Sequence, residues 1–219
     1  MNMNMKRELK KHLTSLGVYR WIYPLLKLPL TFRWIQLGCQ SPPPHLVKLY
    51  TLRAYAKAFG LRVFIETGTY LGDTAEWMAR MGMRVYTIEL DETLFKDAQL
   101  RLQRYRNVTV MWGDSGEILP KLLSSEIREP ALFWLDAHYS GGITARGTIE
   151  SPIESEISAI LHHNVKGHVI LIDDARHFTG SGGYPHLDEL LHRLRVAFDG
   201  YSVEVSTDII RITPRLRKD

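Results

Sequence analysis

The sequence predicts an α/β domain built on a mostly parallel sheet, and three observations predict it. Short apolar runs of strand length recur at residues 62–66, 84–89, 108–112, 131–136 and 168–173. Longer stretches of helical pattern alternate with them, at about 73–81, 92–105, 116–123 and 153–163. After a further helical stretch at about 185–198, two more runs, 202–206 and 209–213, are separated only by Thr207-Asp208.

Each element has a physical reason. The five early runs are apolar almost throughout, as strands are when both sheet faces are covered. Strand and helix in alternation demand right-handed crossovers and hence parallel pairing. The two late runs sit too close for a crossover, so they read as a terminal antiparallel hairpin. Upstream, a helix is expected over about 45–59, ended by Gly60 and preceded by the stiff break Ser41-Pro42-Pro43-Pro44.

Charge divides the chain. Up to Lys57 there are ten Lys and Arg against the single acid Glu8, and the remainder holds 18 basic against 23 acidic residues. The reading is a basic, aromatic, partly helical accessory segment over residues 1–44 and one α/β domain over 45–219. The stretch 19–35 interleaves aromatic and aliphatic residues with Arg20, Lys27 and Arg33. Packing on the domain is the first expectation for it; peripheral contact with an anionic membrane, a lid or a homo-oligomer contact are the alternatives. The acidic body offers no continuous basic surface, so no nucleic acid partner is expected. The most apolar stretch, 19–37, is broken by Pro24, Pro29 and its basic residues, which argues against a membrane span. Cys39 is the only cysteine, so a disulfide within the chain and a cysteine metal site are excluded, and a reducing, cytoplasmic setting fits.

Ligands in open α/β sheets bind beyond the carboxyl ends of the strands, so the residues there carry the functional reading. The first strand runs into Glu66-Thr67-Gly68-Thr69-Tyr70-Leu71-Gly72. Gly68 permits a tight turn, Gly72 permits close helix packing, and the amides opening the next helix can hold a carboxylate. Tyr70 stands where a dinucleotide loop has its middle glycine, which disfavours a diphosphate cofactor. Glu89 ends the second strand, where a carboxylate can accept both hydroxyls of a ribose. Asp114 and Ser115 follow the third strand, within reach of an adenine amino group.

These motifs, in this order over residues 60–214, resemble the class I S-adenosylmethionine-dependent methyltransferases. The resemblance implies a Rossmann-like, mostly parallel seven-stranded sheet with a C-terminal antiparallel hairpin. It implies S-adenosylmethionine bound at Glu66, Gly68, Tyr70, Gly72, Glu89, Asp114 and Ser115.

The fourth strand ends in Asp136-Ala137-His138-Tyr139 and the fifth in Asp173-Asp174-Ala175-Arg176. If these strands are neighbours, three carboxylates converge, and such a group repels itself unless a cation sits among them. An all-oxygen donor set suits a divalent ion, Mg²⁺ first. The arrangement resembles the metal-dependent O-methyltransferases of the macrocin and catechol types. That resemblance places metal binding on Asp136, Asp173 and Asp174. His138 occupies the position of the general base in the sugar-modifying branch; a metal-ligand role and a supporting role are its alternatives. Tyr139, where the catechol branch has its lysine, is placed with Arg146 and Arg176 at the acceptor. The glycine-containing stretches 140–147 and 178–184 are expected to flank the acceptor as lips or to be ordinary connections. The expected reaction is methyl transfer to a hydroxyl of a small molecule or glycan. A nucleotide-dependent oxidoreductase and a catalytically silent binding module docking through the basic segment are the competing readings.

Overall fold

A computed structural model describes residues 19–136, 152–181 and 184–215. They form two units, divided between Thr51 and Leu52. The first contains helix α1 (Tyr19–Gln36) and the start of α2 (His45–Ala58). Along α1 and just beyond it, Leu28, Leu30, Phe32, Ile35 and Leu37 are exposed. No helix among the described residues is long and apolar enough to cross a membrane.

The second unit is a single seven-stranded sheet. In chain order its elements are β1 (Val63–Thr67), α3 (Asp73–Arg80), β2 (Arg84–Glu89), α4 (Glu92–Leu102), β3 (Val108–Trp112), α5 (Ser115–Ser125), β4 (Ala131–Leu135), α6 (Pro152–His162), β5 (Val169–Ile172), α7 (Leu187–Ala197), β6 (Tyr201–Ser206) and β7 (Ile209–Pro214). The strand order is β3-β2-β1-β4-β5-β7-β6. The first five strands are parallel, β7 is antiparallel to β5, and β6 pairs back on β7. Every strand expected from the sequence is present with ends within one residue, and the mostly parallel α/β architecture is the one expected.

Alternation along the strands sends residues to two cores. Val63, Ile65, Phe133 and Ile170 point to the side covered by α5, α6 and α7, through Leu119, Leu122, Ile157, Ile160 and Leu194. Phe64, Val85, Leu132 and Leu171 point to the other side, where Ala75 and Met78 of α3 and Ala98 and Leu102 of α4 meet them. With both faces covered, β1, β4 and β5 are buried along their whole lengths, which is why they carry no alternation in sequence. Thr207 and Asp208, between β6 and β7, both have positive φ (55° and 63°), as a tight two-residue hairpin requires.

The consequence for function is topological. The chain leaves β1 for β2 on one side and later returns to β4 on the other, so the strand order reverses between β1 and β4. At that switch point the loops beyond the carboxyl ends part and leave a crevice.

Candidate functional site

The loop after β1 is held by the end of β2. Gly68 and Thr69 both donate their amides to the Ile88 carbonyl, at 2.9 and 3.2 Å. Tyr70 donates its amide to Glu89 Oε2 at 2.7 Å, and Asp91 donates its own to Glu89 Oε1 at 3.0 Å. Glu89 is buried, and each of its oxygens already accepts one amide while retaining lone-pair capacity for another donor. Gly68 has φ 88°, and a Cβ there would lie 3.0 Å from Cβ of Asp136. Only glycine fits that combination. Gly72, also in the left-handed region, caps α3, and a Cβ on it would press on Leu102. Tyr70 takes a positive φ as well (48°), and its side chain is exposed.

Below the loop runs a buried hydroxyl chain. Thr69 and Thr87 share a 2.6 Å hydrogen bond between their hydroxyls, and Thr87 donates to Glu66 Oε2 at 2.9 Å. Burial pushes Glu66 up to about 8, against the pull of the Thr87 and Thr74 hydroxyls and with help from Asp136 and Asp73. The far end of the loop is tied by Arg101, which donates to the Leu71 carbonyl and pairs with Glu76 and, at 2.9 Å, with Asp73. Nothing in the linear sequence marks Arg101, because its partners lie on α3.

After β3, Asp114 is the N-cap of α5 and accepts the Gly116 amide at 2.7 Å. One of its oxygens therefore shapes the loop. Ser115 opens the helix.

The three aspartates converge as the strand order requires. Asp136 donates its amide to the Thr67 carbonyl at 3.3 Å, and Asp173 donates its amide to the Leu135 carbonyl at 2.9 Å. These bonds extend the β1–β4 and β4–β5 pairings by one residue beyond the strands. Asp136, Asp173 and Asp174 each bring an oxygen within 4.8 Å of the others, with Asp173 and Asp174 buried. Asp174 has φ 55°, an uncommon conformation for a non-glycine residue. Arg176, expected at the acceptor, donates to Asp174 Oδ1 at 2.9 Å and to Asp208 Oδ2. Its amide also reaches Asp208 Oδ1 at 2.9 Å. His177 lies 3.9 Å from Asp174 Oδ2. His138, Tyr139, Arg146 and the stretch 140–147 lie outside the described residues, as do 182 and 183 of the stretch 178–184.

Sequence reading missed Glu156. It lies on α6, is buried, and is pushed by burial up to about 7, with the Ser115 and Thr67 hydroxyls opposing and Asp114 and Asp136 adding to the rise. A signal was present: Glu156 shares the apolar face of α6 with Ile153, Ile157 and Ile160, where a carboxylate is costly to bury.

No protein-family model and no curated protein sequence matches the chain. Solved structures do. An O-methyltransferase from Bacillus cereus in complex with SAH superposes with a TM-score of 0.58 at 18% identity, over 90% of this chain and 97% of that one. The O-methyltransferase TomG from Streptomyces achromogenes, involved in tomaymycin synthesis and in complex with SAM, gives 0.55 at 18% identity, over 76% and 79%. The chain has the Rossmann-like α/β fold of these two structures. On this fold, the loop after β1, the acid ending β2 and the aspartates after β4 and β5 all meet at the switch point.

Proposed function

We propose that this chain is an S-adenosylmethionine-dependent O-methyltransferase with a divalent cation at Asp136, Asp173 and Asp174. One observation carries the reading: the glycine of the cofactor loop lies directly against the first metal-side aspartate, Gly68 against Asp136. A methyl donor and a cation-bound acceptor would then be neighbours, as in-line transfer requires. The solved relatives with SAH or SAM support the choice of cofactor.

The donor set fits a hard cation. It is all oxygen, two of its three carboxylates are buried, and among the described residues Asp136, Asp173, Asp174 and Asp208 outnumber the one arginine paired there, Arg176. Such a cation, when bound, lowers the pKa of a ligated hydroxyl and fixes its position. The chain's own residues do the rest. Glu89 receives the ribose hydroxyls, Asp114 and Ser115 meet the adenine side, and the loop from Gly68 to Gly72 borders the amino acid end, over Glu66. His138, two residues beyond Asp136, takes the acceptor proton, and Tyr139 and Arg146 orient the acceptor, a hydroxyl on a small molecule or glycan. Arg176 acts as a lock on Asp174 rather than as an acceptor ligand.

Two measurements test this. Calorimetry with S-adenosylmethionine should show binding by the protein with or without chelator, and absence of binding refutes the methyltransferase reading. Methyl transfer to hydroxyl acceptors should stop in chelator and return with Mg²⁺. Full turnover by protein proved metal-free by elemental analysis refutes the cation alone.

A further inference from the structure

The basic segment takes no part in the proposed transfer, yet exposed large apolar residues crowd there: Leu28, Leu30, Phe32, Ile35 and Leu37. Leu28, Phe32 and Ile35 stand at i, i+4 and i+7 of α1 and so share one face. The same spacing runs back in sequence to Leu25 and Trp21. Phe32 keeps 62% of its surface exposed. Lys27 and Arg33 occupy helix positions on either flank of that face. The polar groups nearby are answered from within the segment. Thr31 donates its hydroxyl to the Lys27 carbonyl at 3.1 Å, and Trp34 donates Nε1 to the Gln40 carbonyl at 2.6 Å. At the helix end the amides of Leu37, Gly38 and Cys39 donate to the carbonyls of Arg33, Ile35 and Trp34, each at 3.0 Å, with Gly38 at φ 79°. The last turn is thereby closed without water. A surface whose polar groups are already paired leaves water at little cost.

Charge decides what such a surface meets. From residue 9 to residue 65 the chain has no Asp or Glu, against nine Lys and Arg. Two copies meeting through this segment would set like charge against like. A nucleic acid would answer the charge but not the aliphatic side chains, which offer bases nothing to stack on. An anionic lipid surface answers both, with apolar side chains below the headgroups and cations among them. We propose that α1 docks on an anionic membrane surface and lies in its plane, with Leu28, Phe32 and Ile35 turned toward the lipid. The docking stands apart from the methyltransferase reading and does not depend on it.

Flotation of the full chain with vesicles tests this, using phosphatidylcholine mixed in equal parts with phosphatidylglycerol, and phosphatidylcholine alone. The parent should float with the mixed vesicles, bind the neutral ones about tenfold more weakly or worse, and release in high salt. Phe32→Ser combined with Ile35→Ser should weaken binding to mixed vesicles about tenfold or more. Lys27→Gln combined with Arg33→Gln should weaken it about tenfold. Both double variants should keep the parent's circular dichroism and unfolding midpoint, because the side chains changed lie outside the buried core. Absence of binding to mixed vesicles, or equal binding to neutral ones, overturns the proposal, and so does parental binding by either double variant. Light scattering and a duplex DNA titration cover the other occupants. A parent dimer that turns monomeric in Phe32→Ser with Ile35→Ser gives the face to a second copy. Tighter binding to the duplex than to mixed vesicles gives it to nucleic acid. Either result overturns the membrane assignment.

Discussion

At the amino end of the sheet, His163 and His168 face each other across 2.9 Å; at the carboxyl end, Glu66 and Glu156 are buried beside a group of aspartates. Burial acts on both ends and pushes each group toward its neutral form, the histidines down and the acids up. The partners differ. Ala131 donates its amide to His168 Nδ1 at 3.0 Å, so the hydrogen of a neutral His168 lies on Nε2 and is donated to His163 Nδ1. The backbone carbonyls of Leu123 and Ile127 take up the other side of His163. At that end both nitrogens of His168 are paired, one to the Ala131 amide and one to His163. Among the described residues, the carboxyl end gathers Asp136, Asp173, Asp174 and Asp208 around the single paired arginine Arg176. Buried polar groups at the first end answer one another, and at the second, acids gather at the crevice.

The comparison can be broken in four ways. Gly68→Ala should have the largest effect, since it strains the backbone at φ 88° and drives a methyl into Asp136. Cofactor affinity should fall about 100-fold or more, with circular dichroism unchanged. Parental affinity by calorimetry would remove this loop from the cofactor. Glu89→Ala comes next, at about 10–100-fold weaker binding, and it should also loosen Tyr70, which would show as faster amide exchange there. An unaltered Kd would reduce Glu89 to a loop anchor.

His168→Ala should do the opposite, lowering stability by about 1–3 kcal/mol in denaturant titration while leaving the cofactor Kd where it was. A changed Kd would mean the two ends communicate. The smallest effect is in pH dependence. His168 is held down at about 4, chiefly by burial, against an ordinary value of 6.5. Between those values the unfolded chain binds more protons than the folded one, so this residue makes stability rise with pH and fall as pH drops from about 6.5 to 4. The buried acids, shifted upward, slope the other way as pH rises. The difference between the parent and His168→Ala curves isolates the histidine, and curves that stay parallel across that window would show His168 does not titrate as its burial dictates.

Strand-end acids were legible because period and position coincide there: an apolar run stops, a carboxylate follows, and the topology places it in the crevice. Glu89 and Asp136 could be read this way before any coordinates. Glu156 could not be read from its local sequence, Glu154-Ser155-Glu156, which resembles a solvated helix face; only the spacing to Ile153 and Ile160 shows that it points inward. Asp208 was hidden for a different reason. An aspartate in a hairpin turn reads as a turn residue, and its bond to Arg176 spans 32 positions of the chain. Its pairing with Arg176 therefore could not be read from the sequence. Asp114 shows the overlap of roles, a helix cap that also borders the crevice.

Asp208 also sets a clock. Its carbonyl accepts the Ala175 amide at 2.9 Å, and its carboxylate holds Arg176 by backbone and side chain, so the loop that carries Asp174 is fastened from the β6–β7 turn. Of the seven strands, β7 is the last to be synthesised, yet it lies between β5 and β6. On a ribosome adding about 5–20 residues per second, the 32-position separation delays that fastening by roughly two to six seconds after Arg176 is joined. During that interval the nascent chain carries the aspartates without the arginine lock that orders them. The half that carries the β1 loop, Glu89 and Asp114 can form once β3 and the start of α5 have been made, and the aspartate half closes only as the hairpin folds back onto β5.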